Sequence, residues 1–282
     1  MLPIRSMNAD DVPWGMKLKD QAGWNQTPAD WQRLLALQPQ GCFAAECDGQ
    51  VVGTTCVTCF GPVAWISMVL VDASYRGRGI GTRLMEHALA YLEGKKIKTA
   101  RLDATPLGRP VYARLGFAAQ YDVARWEGTA EPIPVLRQSP RIVPAAWQQL
   151  DAIAGVDCQA TGTARLRLLD QFHRERRDAM RIAVADGRIA GYSHFRPGSH
   201  ARQIGPVIAL DEPSGEALLD AAFHDAAGTP VYLDVPAPNG LAMRWAASRG
   251  LGLQRQLFRM FRGEPVVDRP ELIWAGFGPE KG

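Results

Sequence analysis

The sequence lacks the segments that would carry a chain into or across a membrane. None of its apolar runs approaches the roughly 20 residues that a membrane-spanning helix needs. Its first residues, Met1 to Arg5, lack the charged-then-apolar order of a signal peptide. We therefore expect a cytoplasmic protein.

The sequence also lacks a large excess of charge of either sign. The formal net charge of the 282 residues is +3, and no basic run stands out from the acids around it. Binding to nucleic acid or to a membrane surface depends on such charge, so we expect neither as a partner. With 46% apolar and 22% charged residues, the composition is that of a soluble globular protein with room for two domains.

Cysteine is rare as well. The five cysteines form an odd, scattered set, which is not a disulfide framework. Cys56 and Cys59 have the spacing of a zinc or redox pair, but they lie in a strand-like run with no second ligand pair beside them. Buried free thiols are the simpler interpretation, and we expect no metal.

Three segments of the chain recur later in the same order, at offsets of 138, 131 and 134 residues. The pairs are FAAECDGQVVG at 43–53 with RIAVADGRIAG at 181–191, RLDA at 101–104 with YLDV at 232–235, and RLGF at 114–117 with SRGL at 248–251. An offset of domain size indicates duplication of a whole fold. We predict one domain over 1–128 and a second over 135–282. The linker is expected in 128–134, where proline and glycine break the periodicity.

Each copy is typical of a mixed α/β (α+β) fold. In the first copy, residues 30–37 look helical, and the Asp-Gly step within 43–53 predicts a tight hairpin. The apolar run 65–71 is typical of a buried strand, whereas residues 81–92 repeat with helical spacing. A strand at 99–103 and a helix near 111–115 complete the copy.

A glycine-rich turn, RGRGIG at 76–81, lies between that buried strand and the following helix. Glycines let the backbone approach a ligand closely, and the helix N-terminus offers unpaired N–H groups to a phosphate. Arg76 and Arg78 add positive charge. The patterns GxGxxG and GxxxxGK[ST] are absent, which disfavours dinucleotide and nucleoside-triphosphate sites.

The run 69–85, which contains RxxGxG, together with YARLGF at 112–117, resembles the GNAT superfamily of N-acetyltransferases. The resemblance implies two tandem domains, each with a mostly antiparallel central sheet flanked by helices and a splayed strand pair at the acyl-CoA site. It implies acetyl-CoA as the donor and an amine, on a small molecule or a peptide, as the acceptor. The amine would attack the donor directly in a ternary complex.

The resemblance also assigns roles to residues. The residues expected to hold the donor are Val69, Leu70 and Val71 along the pantetheine arm, and Arg76, Gly77, Arg78, Gly79, Ile80, Gly81 and Thr82 around the pyrophosphate. Tyr112 would protonate the leaving thiolate, and a main-chain N–H such as that of Leu70 would stabilise the oxyanion. Asp103 would either contact the pantetheine amides or cap the following segment.

The acceptor side is less defined. Trp24 and Trp31 are candidates for an aromatic face, and His194 and Trp245 of the second copy are candidates for a pocket wall. Aromatic residues at such positions are also typical of a core. Three residues are possible general bases, each with a structural alternative: Glu46, Asp72 and His87.

The second copy has lost the turn. Its strand at 203–210 runs directly into Asp211, Glu212 and Pro213, and Ala246 stands where the first copy has Tyr112. Carboxylates repel a pyrophosphate, so we predict a degenerate GNAT-like domain that binds no CoA. The tail over 258–276 resembles that of a tandem GNAT type. The alternative function is a non-catalytic acyl-CoA sensor, for which a leaving-group acid at Tyr112 would have no purpose.

Overall fold

The computed structural model describes residues 2–133 and 140–281. The helices are α1 Val12–Gln21, α2 Pro28–Leu37, α3 Ile80–Gly94, α4 Arg109–Arg114, α5 Leu150–Thr161, α6 Leu166–Glu175, α7 Glu212–Asp225 and α8 Gly240–Ser248. The strands are β1 Ile4–Ser6, β2 Cys42–Cys47, β3 Gln50–Phe60, β4 Val63–Val71, β5 Thr99–Ala104, β6 Ala118–Thr129, β7 Arg141–Pro144, β8 Met180–Ala185, β9 Arg188–Arg196, β10 Arg202–Ala209, β11 Pro230–Pro236, β12 Gly252–Gly263 and β13 Ile273–Ala275. None of the described helices is long and apolar enough to cross a membrane.

The chain forms two compact units, and each contains residues from both halves of the sequence. Of the described residues, unit 1 comprises 2–118, 260–265 and 281, and unit 2 comprises 119–133, 140–259 and 266–280. These units differ from the sequence halves 1–128 and 135–282. The difference arises because β6, which follows α4, pairs with β11 of unit 2, whereas the end of β12 belongs to unit 1.

The expected linker at 128–134 is only partly irregular. Gly128 and Thr129 are the last residues of β6 and pair with Val231 and Pro230. Beyond the strand, Ala130 is buried in the core of unit 2. The expectation of a linker was therefore wrong for 128–129, since strand pairing outweighs the local weakness of glycine. Pro134 lies outside the described residues.

The sheet of unit 1 has the order β1-β2-β3-β4-β5, followed by the end of β12. Its first four strands are antiparallel neighbours, and β4 and β5 are parallel. The β2–β3 turn has positive φ at Asp48 and Gly49, 50° and 74°, as the Asp-Gly step predicts. Asp186 and Gly187 repeat this geometry in unit 2, which confirms the duplication of the hairpin.

Helices α2 and α3 each bury one apolar stripe in unit 1. Trp31 and Leu34 of α2 are fully buried among Met68, Leu70 and their neighbours. On α3, the residues with helical spacing are buried, and they are Leu84, Met85, Ala88 and Leu92. The two helices that follow from sequence periodicity are therefore confirmed, and α3 is anchored by its own buried face.

Unit 2 repeats this plan. Its sheet has the order β12-β6-β11-β10-β9-β8-β7, with β13 paired to β10. Helix α7 lies on this sheet, and its Leu218, Leu219 and Phe223 are buried in the main core cluster. Both units are thus mostly antiparallel sheets covered by helices, which confirms the predicted fold class.

Residues 260–265 are expected to be needed for the stability of unit 1. Gly263 has φ of +102°, and a Cβ there would lie 2.0 Å from the carbonyl oxygen of Lys98, which is backbone. Gly263→Ala should lower the free energy of unfolding by ~2 kcal/mol or more, because backbone strain and a clash combine. Urea unfolding measures this change. The matched control is Gly252→Ala on the same strand, where a Cβ meets nothing within 4 Å. Equal stability of the two variants would contradict the role of residues 260–265 in stabilising unit 1.

Candidate active site

Strands β4 and β5 separate after a short paired stretch. They pair only from Val63 to Trp65, opposite Thr99 to Arg101, although β4 continues to Val71. A main-chain edge from residue 66 to residue 71 therefore faces the gap between the two strands. This splay is the feature that the family resemblance implies at an acyl-CoA site.

A bulge in β4 accompanies the splay. The register of β3 on β4 shifts between Thr54, which is opposite Leu70, and Cys56, which is opposite Ser67. Met68 has φ of +52°, and its carbonyl accepts a hydrogen bond of 2.8 Å from the Thr54 hydroxyl. Bulges re-aim backbone groups and occur next to active sites. Nothing in the apolar run of β4 signals this bulge, because Met68 has no intrinsic preference for positive φ.

The turn after β4 leaves the N-terminus of α3 open. Gly77 and Gly79 have φ of +77° and +74°, a conformation that costs glycine little. Gly79 is the N-cap, and it has no side chain that could accept a hydrogen bond from the first turn of α3. Residues 76–79, which lead into the helix, are exposed, and the first N–H groups of a helix have no intrahelical partner and can bind an anion.

Two arginines lie on the same turn and are held by its backbone. The Nε of Arg76 donates to the carbonyl of Val71 at 3.1 Å, and Arg78 donates to the carbonyl of Ser74 at 3.2 Å. The Arg78 guanidinium also lies 5.0 Å from the centre of the Tyr75 ring. Positive charge is thus fixed beside the open helix end without an acidic partner among the described residues.

Asp72 fixes the start of the turn. Its carboxylate accepts hydrogen bonds from the Ser74 N–H at 2.9 Å and from the Gln21 amide at 3.0 Å, and Lys17 lies 3.7 Å away. These contacts, the Ser74 N–H first, lower the pKa of Asp72. A carboxylate so stabilised in its charged form is a weak base. The contacts of Asp72 therefore favour a structural role over the role of general base.

Tyr112 lies on α4, directly after β5. Its ring centre is 6.1 Å from that of Phe117. A Cβ on Gly108 would lie 2.9 Å from the ring and 3.4 Å from the hydroxyl, so Gly108 leaves the space that the ring occupies. Burial raises the pKa of Tyr112, which keeps the hydroxyl protonated at neutral pH. Among the described residues, that hydroxyl makes no hydrogen bond.

The equivalent helix of unit 2 is closed. Helix α7 begins immediately after β10, and its N-cap Asp211 accepts a hydrogen bond of 2.8 Å from the Ser214 N–H. Ala246, in the position that corresponds to Tyr112, is fully buried. A carboxylate at the helix end uses up a donor and repels an anion, in contrast to the open end of α3.

Three of the four acceptor candidates lie in cores. Trp31 is 0% exposed in unit 1. In unit 2, His194 is 1% exposed against the Phe172 ring, and Trp245 is buried with its Nε1 donating to Asp220 at 2.9 Å. Because a substrate contact needs surface, this burial argues for core roles. Trp24 is half-buried against the core of unit 1.

The remaining candidate residues lie in several different environments. Asp103 is half-buried on β5. Glu46 accepts a hydrogen bond of 2.8 Å from Arg5, which also binds Asp11. His87 is exposed on α3, and its ring centre lies 4.6 Å from that of Phe43 in an edge-to-face arrangement. Of the CxxC pair, Cys56 is buried and Cys59 is half-buried, and all five cysteines are free thiols.

Comparison with known proteins settles the family. The model of the acetyltransferase (GNAT) family matches residues 8–117, and a second model, the acetyltransferase (GNAT) domain, matches residues 153–275. Together they cover most of the chain. The chain belongs to the GNAT acetyltransferase family. Both predicted copies of the fold are thereby confirmed as GNAT domains.

Several known proteins match this chain over most of their own length. An uncharacterized N-acetyltransferase of Bacillus subtilis, YitH, is 24% identical over 232 residues, which cover 82% of this chain and 80% of that protein. The fold is similar to a putative acetyltransferase from Pyrococcus horikoshii, with a TM-score of 0.85, 23% identity, and coverage of 100% and 96% of the two chains. A tandem GNAT protein from the clavulanic acid biosynthesis pathway has a TM-score of 0.68 at 16% identity, with 95% and 100% covered.

The open end of α3 predicts a binding site for CoA. Gly79→Trp should weaken CoA binding at least ~100-fold, because a side chain there obstructs several N–H contacts to a charged group. Titration calorimetry measures the affinity and the stoichiometry, which should be one CoA per chain. Gly49→Trp is the matched control, since Gly49 shares the φ of +74° and also has nothing within 4 Å of a Cβ. Two equivalents per chain, or unchanged affinity in Gly79→Trp, would refute a single site at α3.

Proposed function

We propose that this protein transfers an acetyl group from acetyl-CoA to an amine of a small-molecule or peptide acceptor. The amine attacks the thioester directly in a ternary complex at the site in unit 1. The observation that carries the proposal is the uncapped N-terminus of α3 beside the splayed strands β4 and β5. Unit 2 lacks this combination, because Asp211 caps α7.

The residues of the turn fit the donor by the chemistry of their groups. The N–H groups of Arg76 to Thr82 bind the pyrophosphate, and the positive end of α3 and two guanidinium groups favour its charge. The free edge of β4 at Val69, Leu70 and Val71 pairs with the pantetheine amides as an added strand does. Asp103, on the facing strand β5, is a second contact for that arm. Bound acetyl-CoA supplies the thioester.

Tyr112 donates a proton, or a strong hydrogen bond, to the sulfur as the thiolate departs. Its raised pKa keeps the hydroxyl protonated at neutral pH, so it is able to donate. The absence of a competing hydrogen bond among the described residues leaves the hydroxyl free to turn toward the sulfur. Gly108 preserves the space in which the ring adopts this position.

Loss of the Tyr112 hydroxyl should reduce turnover and spare donor binding. Tyr112→Phe is expected to lower kcat about 100- to 10,000-fold, the usual contribution of a general acid. The affinity for CoA should stay nearly constant, because the interaction is made chiefly in the transition state. Single-turnover kinetics and titration calorimetry measure the two quantities.

The control for this variant is Tyr91→Phe in the same unit, where the hydroxyl accepts a hydrogen bond of 2.7 Å from Gln38. It should keep the wild-type kcat. An unchanged chemical step in Tyr112→Phe would rule out the proposed acid.

The function itself is tested by thiol release from acetyl-CoA in the presence of a pooled amine library. Amine-dependent release, followed by mass spectrometry of the acetylated product, is the expected result. Gly79→Trp serves as the negative control. Tight CoA binding without release for any amine class would instead indicate a sensor and contradict the transferase proposal.

A further inference from the structure

A cavity of about 450 Å³ lies within unit 2, well separated in the sequence from the donor motifs. Its size falls in the range of small-molecule pockets. It lies where the segment after β7, the last turn of α6 and the segment after α6 meet. The lining residues are Ala145, Ala146, Trp147, His173, Arg174 and Arg177.

Trp147 gives this cavity a flat aromatic wall. The indole is 49% exposed, the largest aromatic exposure that the structure gives for unit 2. Its ring centre lies 5.8 Å from that of His173, and the guanidinium carbon of Arg174 lies 5.1 Å from the indole centre. These contacts hold the indole in place, and its exposed part offers a flat surface on which another planar group can stack.

The charge of the lining is positive. Arg174 is paired with Asp170 at 2.9 Å, which compensates its charge in part. Arg177 makes no ion pair among the described residues, whereas the nearby Asp178 is paired with Arg176 at 3.1 Å. None of the six lining residues is acidic. The cavity therefore favours an anion, and Arg177 is the group best placed to bind it.

His173 adds an unsatisfied polar atom. The residue is only 4% exposed, and its Nδ1 is buried without a hydrogen-bond partner in the described structure. Buried polar groups are normally paired, so an orphan in a cavity wall is a place for a ligand or a water molecule. Aromatic surface, positive charge and an orphan nitrogen thus occur in one cavity.

We propose that this cavity is a binding site for a small molecule in which a flat aromatic ring carries a carboxylate or phosphate group. The ring stacks on Trp147, and Arg177, assisted by Arg174, binds the anion. This site goes beyond the proposed acetyl transfer, because it uses none of the residues at 69–82 or 112. It gives the half of the chain that lacks the donor turn a ligand of its own.

Three probes with the same ring test the proposal. These are 1-naphthoate, 1-naphthyl phosphate and the neutral 1-naphthamide, each titrated calorimetrically into the full chain with CoA at saturation. CoA blocks the donor site, so binding at α3 does not contribute. Saturable binding of one or both anions, at least ~10-fold tighter than the amide, is expected from a charge-assisted contact. The tighter anion identifies which group the site takes. No saturable binding of either anion, or equal affinity for the amide, would overturn the proposal.

Variants locate the binding. Arg177→Gln should lower the affinity for the tighter-binding anion ~10-fold or more, because it removes the positive charge. Trp147→Ala should lower the affinity for all three probes, because it removes the stacking surface. Both residues are exposed, so the variants should still fold. Arg188→Gln is the matched control, an exposed arginine of the same unit outside the cavity, and it should keep wild-type affinity. The failure of acetyl transfer would leave these results unaffected, since they are read without turnover. Anion affinity that is equal in Arg177→Gln and Arg188→Gln would place binding elsewhere and contradict the site.

Discussion

The uncapped first turn of α3 is the feature on which the account of the donor site depends. A side-chain N-cap contributes about 1 kcal/mol to a helix, and α3 forgoes it at Gly79. The helix is stable without a cap because its apolar stripe, from Leu84 to Leu92, is buried against the sheet. Packing therefore supplies the stability, and the free N–H groups are left for an anion.

The two units differ at the N-terminus of the corresponding helix. Helix α7 has the same place in the order of elements as α3, but Asp211 caps it and β10 leads into it without a glycine turn. The cap stabilises the helix and removes the site at the same time. A pyrophosphate would meet the Asp211 carboxylate where α3 offers unpaired donors, and no tyrosine occupies the position of Ala246. The duplication thus separates a fold from the function built on it.

Local signals in the sequence predicted much of this arrangement. The Asp-Gly hairpins, the helical stripe of α3 and the glycine turn follow from backbone chemistry that acts over a few residues. The Asp211 carboxylate, which was predicted to repel a phosphate, lies at the N-terminus of α7, where it also accepts a hydrogen bond from the Ser214 N–H.

Other features depend on contacts that the sequence does not reveal. The bulge at Met68 is set by pairing with Thr54 across the sheet, and the assignment of residues 260–265 to unit 1 is set by pairing between distant strands. Trp31 and Trp245 were candidates for an acceptor site because the sequence does not show that they are buried. Burial depends on the packing of the whole unit. The cavity around Trp147 does not follow from the sequence for the same reason, since the segment after β7 and the end of α6 contribute its residues from separate parts of the chain.

Hydrogen exchange of the full chain with and without CoA tests the central claim most directly. The account predicts that CoA slows amide exchange in residues 69–82, where main-chain N–H groups bind the donor, and leaves residues 207–215 unchanged. Amides at a closed, capped helix end have no ligand to protect them. Equal protection of both segments, or protection of 207–215 alone, would contradict a donor site that depends on the open end of α3.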